Sequence, residues 1–488
     1  MIPAHPILTC AEAKQFEDAW FGGDEGREWA AMQRAGLAVA EAVLKDFGEI
    51  GGFPEAGRVL VLAGKGHNAG DALLAARRIW ELHPQTRIDV FFALGERELR
   101  PLAQRAWHEL AAAAKRVGEL PGSGYDLMLD GVFGFQFRPP LDAKTGAVLK
   151  AANALPVRLR AAVDLPSGLD EPDAFLADFT YATGIVKSPL LTLPKAGRIR
   201  PLDLGFFEEN GSNVCHVLRD KPDRVLTSAV LDPLRGLRPS HSDKRTYGHL
   251  FVVGGSRNYP GAVLISVTAA LRSGAGLVTA FVPESLVAAF AARVPEAMWV
   301  GWPETPEGGL ALEGAHLLRE KISRATALLI GPGLGQEPET FALVKDLVAQ
   351  SAVPLVIDAD ALQPDIVAAG NAPRILTPHA GEWARIERAT LPTNAVAVRK
   401  GPVTRIISGA TIYHSFFGGP VLARGGSGDL LAGLTGGLLA QTPSDPTGAA
   451  ARAVVWHGMA ADALARTHGQ VAVTTTQVLD FLGVVLRT

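Results

Sequence analysis

The sequence predicts an α/β protein of two domains built on parallel sheets, and two observations carry that expectation. Short β-rich apolar runs alternate with stretches of helical periodicity, the pattern of strands joined by crossover helices. The alternation breaks between about residues 210 and 247, in a polar, charged stretch with Pro222, Pro233 and Pro239, which marks a domain boundary. With the boundary at residue 222, the segments 1–222 and 223–488 are each long enough to bury an α/β core.

In the first segment the strand candidates are Arg58–Ala63, Ile88–Ala93, Tyr125–Leu129 and Leu159–Val163, with helices expected over Asp71–Leu82 and Pro101–Arg116. In the second they are His249–Val253, Leu277–Val282, Ala327–Ile330, Leu355–Ile357 and Thr404–Ile407. Helices are expected there over Ala262–Ser273, Pro338–Gln350, Trp383–Arg388, Asp429–Gln441 and Gly448–Arg466. The most apolar run, Leu430–Ala440, carries Gly433, Gly436 and Gly437 and reads as a buried core helix rather than a membrane span.

Of the residues, 48% are apolar and 20% charged, with a formal net charge of −3, so neither a nucleic-acid surface nor a membrane surface is indicated. The start of the chain lacks the basic and apolar pattern of a signal peptide. Cys10 and Cys215 stand far apart in no ligand spacing, so a disulfide framework is not expected and a cytoplasmic location is.

Polar and glycine-rich turns gather just past the strand candidates, where open α/β sheets bind ligands. Gly425-Gly426-Ser427-Gly428-Asp429 feeds a helix N-terminus, whose converging N–H groups and dipole favour an anion. Asp429 there reads as a general base or, more plainly, as a helix cap. Further turns are Gly331-Pro332-Gly333-Leu334-Gly335, Asp358-Ala359-Asp360, Thr377-Pro378-His379-Ala380-Gly381-Glu382 and Lys400-Gly401-Pro402-Val403-Thr404. In the first segment, Gly64-Lys65-Gly66-His67-Asn68-Ala69-Gly70-Asp71 joins a strand to a helix, and Asp130-Gly131 and Asp164-Leu165-Pro166-Ser167 follow strands. Taken singly, such acids also serve as turn caps.

From about Ser240 to Phe481 this set, with Val253-Gly254-Gly255-Ser256, Pro260-Gly261-Ala262 and His457-Gly458, resembles the ribokinase-like superfamily. Within it, the set is most similar to the ADP- or ATP-dependent NAD(P)H-hydrate dehydratases. The resemblance implies a ribokinase-like α/β domain in which Ala262, Gly333, His379 and Asp429 contact a hydrated dinucleotide. Lys400, Gly401, Pro402, Val403, Thr404, Gly425, Gly426, Ser427 and Gly428 then hold the nucleotide donor, with Mg²⁺ at its phosphates and Asp358 and Asp360 nearby. The chain departs from the pattern at Arg424, which puts a cation beside the phosphate site, and in a short segment between Glu382 and Lys400.

From about Cys10 to Phe207 the glycine turn, the two acidic turns and Gln33-Arg34-Ala35-Gly36 resemble the NAD(P)H-hydrate epimerase domain. That resemblance implies a Rossmann-like three-layer α/β sandwich, with K⁺ held by Asn68, Asp130 and Ser167. Substrate contacts would come from His67, Asn68, Ala69, Gly70, Asp71, Gly134, Phe135, Gln136, Phe137, Arg138 and Asp164, with Asp164 the proton-transfer group. His67 and Ala69 stand where the family has Asn and Gly.

The joint expectation is a bifunctional repair enzyme that epimerises hydrated NADH or NADPH and dehydrates one epimer through a phosphorylated intermediate. The family tends to assemble, which implies a homo-oligomer. The alternatives are a ribokinase-like kinase of a small vitamin or sugar, and a first segment that serves only as an interaction module.

Overall fold

The computed structural model describes residues 2–207 and 221–487. Cys215 and the opening of the expected boundary stretch lie outside the described residues. The chain divides into two compact units. The smaller spans His5–Lys221 with Ala465–Gln470, and the larger holds Pro222–Leu464 and Val471 onward with the first few residues.

In the smaller unit, parallel strands lie in the order Ala114–Val117, Arg87–Phe92, Arg58–Ala63, Tyr125–Gly131, Val157–Val163, Phe179–Thr183 and Arg198–Leu202. Chain direction across the sheet reverses beside Arg58–Ala63. The crevice past Ala63 and Gly131 is therefore the place where doubly wound sheets take ligands. Both faces are covered. Val59, Val61 and Ala63 enter one core cluster, with helices Glu25–Phe47, His67–Leu82 and Pro101–Leu110. Leu60 and Leu62 enter the other, with Leu149 and Ala152 of helix Ala143–Ala154. That two-sided burial is why the strand reads as one unbroken apolar run.

The larger unit repeats the logic. Its strands run Asp223–Leu226, Thr411–Ser415, Thr404–Ser408, Ala395–Arg399, Arg374–Leu376, Leu355–Ile357, Ala327–Ile330, His249–Val253, Leu277–Pro283 and Met298–Trp302. Pairing is parallel from Met298–Trp302 to Ala395–Arg399, and antiparallel on both sides of Thr404–Ser408. The direction reverses between His249–Val253 and Ala327–Ile330, so the turns at Gly254, Gly331, Asp358, Thr377 and Lys400 crowd one edge.

Helix Ser427–Gln441 is buried along most of its length, as its composition predicts. Its glycines permit the approach. A Cβ on Gly433 would stand 2.1 Å from the Ser266 carbonyl oxygen of helix Pro260–Arg272, and one on Gly437 2.1 Å from Ser273 Oγ. Neither could be accommodated without moving one helix off the other.

Three local expectations are corrected. The helix expected over Pro101–Arg116 stops at Leu110, and Ala114–Val117 pairs with Arg87–Phe92 as an edge strand, so sheet pairing overrides the helical propensity of the alanine run. The helix expected from Asp71 begins at His67, which places His67, Asn68, Ala69, Gly70 and Asp71 in its opening turns rather than in a loop. The helix expected over Trp383–Arg388 is Ala380–Ile386, started by His379 as its cap. Among the described residues no helix is long and apolar enough to cross a membrane.

Candidate active sites

In the larger unit the site is organised around Lys400, at the end of strand Ala395–Arg399. Its Nζ lies 3.2 Å from Asp358 Oδ1 and 3.9 Å from Glu382 Oε2. Thr377 Oγ1 donates to the same Asp358 oxygen at 2.7 Å. Burial alone would lower the Lys400 pKa, but Asp358, Glu382 and Asp429 outweigh it and hold the ammonium above its ordinary value. A Cβ on Gly428 would stand 3.0 Å from Lys400 Nζ, so the absence of a side chain there lets the ammonium reach the start of helix Ser427–Gln441.

Gly426 caps that helix at φ +86° and offers no side-chain acceptor, so the first N–H groups keep their capacity for an anion. Asp429 lies in the first turn, and its carboxyl is pushed up to about 6, by burial first and then by Asp358, with Lys400 pulling the other way. The cap position is held by Gly426, so Asp429 is not the cap of its own helix. Thr475 Oγ1 donates to the Gly425 carbonyl at 2.8 Å, and Ser266 Oγ to the Asp429 carbonyl at 2.8 Å, so both ends of the turn are tethered.

Ala262 and Gly333 face each other, since a Cβ on Gly333 would stand 3.1 Å from Ala262 Cβ. Asp360 Oδ2 accepts the Gly335 N–H at 3.1 Å, and Ala359 between the two acids has φ 51°, a strained conformation for a residue with a side chain. His379 is mainly exposed and acts as a cap, its Nδ1 accepting the N–H groups of Gly381 at 3.0 Å and Glu382 at 3.2 Å. Gly401, Pro402 and Val403 form the connection that leads into the antiparallel strand beginning at Thr404. The cation expected beside the phosphate site is turned elsewhere: Arg424 donates to the carbonyls of Val473 at 2.8 Å and Val471 at 2.9 Å.

In the smaller unit a cavity of about 370 Å³ opens at the switch point, and His67, Asn68, Asp71, Gly134, Phe135, Gln136, Phe137, Arg138 and Asp164 all line it. Asp164 sits at φ 65°, again left-handed for a non-glycine. Its Oδ1 takes the Lys187 ammonium at 2.5 Å, and Oδ2 accepts the Phe135 N–H at 3.3 Å. Lys187 is almost fully buried and also donates to the Thr183 carbonyl at 3.2 Å. Asp71 is raised well above the ordinary carboxyl range by burial, then by Asp164 and Glu17.

Beneath the cavity, Ser167 Oγ donates to Asp130 Oδ1 at 2.6 Å and Ser167 N–H to Oδ2 at 2.8 Å. Burial pushes the Asp130 carboxyl up to about 6 against these bonds. Asn68 Nδ2 donates to the Phe133 carbonyl at 2.9 Å, while its buried Oδ1 receives no donor.

A family model for NAD(P)H-hydrate dehydratase matches residues 250–483, and one for the N-terminus of YjeF-related proteins matches residues 29–188. The bifunctional NAD(P)H-hydrate repair enzyme Nnr of Gloeobacter violaceus is 36% identical, over 95% of this chain and 94% of its own. This chain belongs to the bifunctional NAD(P)H-hydrate repair enzyme family. The member from Moorella thermoacetica is 32% identical over 93% of this chain and 92% of its own. A solved ribokinase-like superfamily protein from Enterococcus faecalis is 31% identical over 55% of this chain and 97% of its own, with a TM-score of 0.47.

In this member of the repair family, sequence reading missed two charged groups of the smaller site. Lys187 lies in an irregular stretch with no motif around it, and only the fold brings it to Asp164. Glu17 had a legible signal, because it falls on the buried stripe of helix Cys10–Phe21 beside Ala13, Phe16 and Trp20.

Proposed function

We propose that the larger unit restores reduced nicotinamide from its hydrate by phosphoryl transfer and elimination, and that the smaller unit interconverts the two hydrate epimers. The observation that carries the first half is the glycine-capped start of helix Ser427–Gln441, where the half-buried Lys400, paired with Asp358, reaches Gly428, and Asp429, its carboxyl pushed up to about 6, lies in the first turn. Such a carboxyl is mostly ionised at neutral pH, yet basic enough to take a hydroxyl proton.

The hydroxyl on the hydrated ring is a poor leaving group. With Asp429 taking its proton, its oxygen attacks the terminal phosphorus of ADP or ATP, and the bridging P–O bond breaks to release AMP or ADP. The ring phosphate then departs with its bonding electrons, a ring proton is lost, and the double bond returns. Lys400 and the first N–H groups of helix Ser427–Gln441 supply positive charge to the transferring group. Ala262, Gly333 and His379 are assigned to the hydrate. Gly401–Thr404 and Gly425–Gly428 are assigned to the donor.

Among the described residues no cluster of three acids, histidines or cysteines is arranged around a metal. A Mg²⁺ would be held chiefly by the donor phosphates, with Asp358 and Asp360 as the candidate carboxylates on the neighbouring turn. For K⁺ the residues fit better: the buried Asn68 Oδ1 lacks a donor and stands with Asp130 and Ser167, a hard-oxygen set for a hard cation. Bound there, K⁺ would supply positive charge beneath the cavity. Asp164, ion-paired with Lys187, is the proton-transfer group we assign to the epimerase.

Phosphate release tests the dehydratase reading. One phosphate is expected for each reduced nicotinamide regained, and Asp429→Asn is expected to release neither. Recovery without phosphate release would overturn the mechanism.

A further inference from the structure

The cavity of the smaller unit holds more acid than that mechanism uses. Helix Cys10–Phe21 buries Ala13, Phe16 and Trp20, and Glu17 follows Ala13 by four residues and precedes Trp20 by three, on the same stripe. Glu17 itself is half-buried at the cavity wall, and a carboxyl drawn partly out of water weakens the fold unless something compensates it. The main charges acting on Glu17 are Lys187, from the irregular stretch past strand Phe179–Thr183, Asp164, just past strand Val157–Val163, and Asp18 and Lys14 on its own helix. Asp71, on the helix that opens from the glycine turn, adds a further acid that senses Glu17 and Asp164. Glu17 lines the cavity together with Asp164 and Asp71. The same wall carries Asn68, 9% exposed, whose Oδ1 has no donor. Three carboxyls thus face a space whose lining also carries Glu28 and Asp142 and the cations Lys65, Arg100 and Arg138, while the buried Lys187 is bound to Asp164.

Hydration of a dihydronicotinamide puts the hydroxyl on the carbon bonded to the ring nitrogen. That carbon inverts when the C–O bond breaks and the nitrogen lone pair forms a C=N bond, giving an iminium cation. Water then adds to the opposite face. The first step needs a proton on the departing oxygen, and the second needs a base for the proton of the returning water. An acid-rich cavity also favours the cation between the two steps.

We propose that Glu17 is a second catalytic carboxyl of the epimerase, giving the proton with which the ring hydroxyl leaves as water, while Asp164 takes the proton when water returns. Each turnover consumes no reagent and leaves the proton on the other carboxyl, set for the opposite epimer or for exchange with solvent. Burial holds Glu17 at about 7, so a substantial share is protonated at neutral pH. The division of labour matches other acid–base pairs whose two environments separate their protonation.

The inference rests on the epimerase reading, and the test separates the two. Full-length wild type, Glu17→Gln and Glu17→Asp are compared for interconversion of purified hydrate epimers, with dehydration of the directly accepted epimer as the control for enzyme concentration and hydrogen exchange in helix His67–Leu82 as the control for folding of the smaller unit. Glu17→Gln is expected to lose about 100-fold or more in kcat for epimerisation, with KM within about threefold and dehydration unchanged. Glu17→Asp regains part of the loss, and the wild-type fall in rate above about pH 7 disappears in Glu17→Gln. If wild type interconverts epimers and Glu17→Gln does so within about threefold, the role assigned to Glu17 is wrong. If wild type does not interconvert them, the epimerase reading fails, and this proposal with it.

Discussion

Replacing Asp429 by Asn separates a general base from a helix cap by the sign of its effect on stability. The folded carboxyl lies at about 6 against an ordinary 3.8. At pH 7 it is ionised in both folded and unfolded chains, so the folded state alone bears the cost of keeping a charge half-buried beside Asp358. That cost is on the order of 2–3 kcal/mol. Below about pH 4 the group is protonated in both states and the cost vanishes. An acid in the first helical turn returns about 0.3–1 kcal/mol through the dipole. Asp429→Asn should therefore stabilise the larger unit by about 1–2 kcal/mol at pH 7, an advantage that fades between about pH 6 and 4. A capping role predicts the reverse, a loss of about 1 kcal/mol.

The assay is urea unfolding at pH 7 and pH 4, read by hydrogen exchange in helix Ser427–Gln441 so that the two units are not confused. In parallel, kcat for dehydration should fall by about 10²–10⁴. In wild type, kcat should drop about tenfold between about pH 7 and pH 5 as the base protonates. A variant that is less stable at pH 7, or that keeps a tenth of the activity, would mean that Asp429 is not the base.

Three other outcomes follow from the same geometry. Lys400→Met removes the cation that lowers the Asp429 pKa, so the acid limb of the dehydratase pH profile should move above about 6 and the donor KM should rise by about tenfold or more. Asp164→Asn should abolish epimer interconversion while the unit bearing Asp429 still dehydrates the accepted epimer, which chromatography of the residual hydrate would show. Gly331→Ala would place a Cβ 1.9 Å from the Asp358 carbonyl oxygen at φ +130°, and should cost on the order of 2–4 kcal/mol in unfolding experiments and disturb Lys400 with it.

Strands buried on both faces, such as Arg58–Ala63 and Ala327–Ile330, were legible because they leave unbroken apolar runs bounded by glycine or polar turns. Phe179–Thr183 and Arg198–Leu202 were not, because arginine and threonine in a parallel strand hide the apolar signal. Arg200 is buried with Asp46 and Glu49 paired to it. Ala114–Val117 was masked by the helical preference of the alanines before it.

Most turn residues of both sites could be read because they follow strands directly, and Gly425–Asp429 because its glycines open a helix. What spacing cannot show is which charge meets which. Lys187 reaches Asp164 across 23 positions, and Lys400 reaches Asp358 across 42. Arg424 adjoins the phosphate turn in sequence but gives its donors to carbonyls 47 and 49 positions on.

The most direct measurement uses a mixture of both NADH-hydrate epimers, and separately both NADPH-hydrate epimers, with the full chain, K⁺, Mg²⁺ and either ADP or ATP. The return of reduced-nicotinamide absorbance is then followed to its end. Complete recovery is expected with at least one donor, and recovery that stops short in Asp164→Asn once the accepted epimer is spent. No recovery with either donor would contradict the dehydratase, and a wild type that halts with one epimer left over would contradict the epimerase.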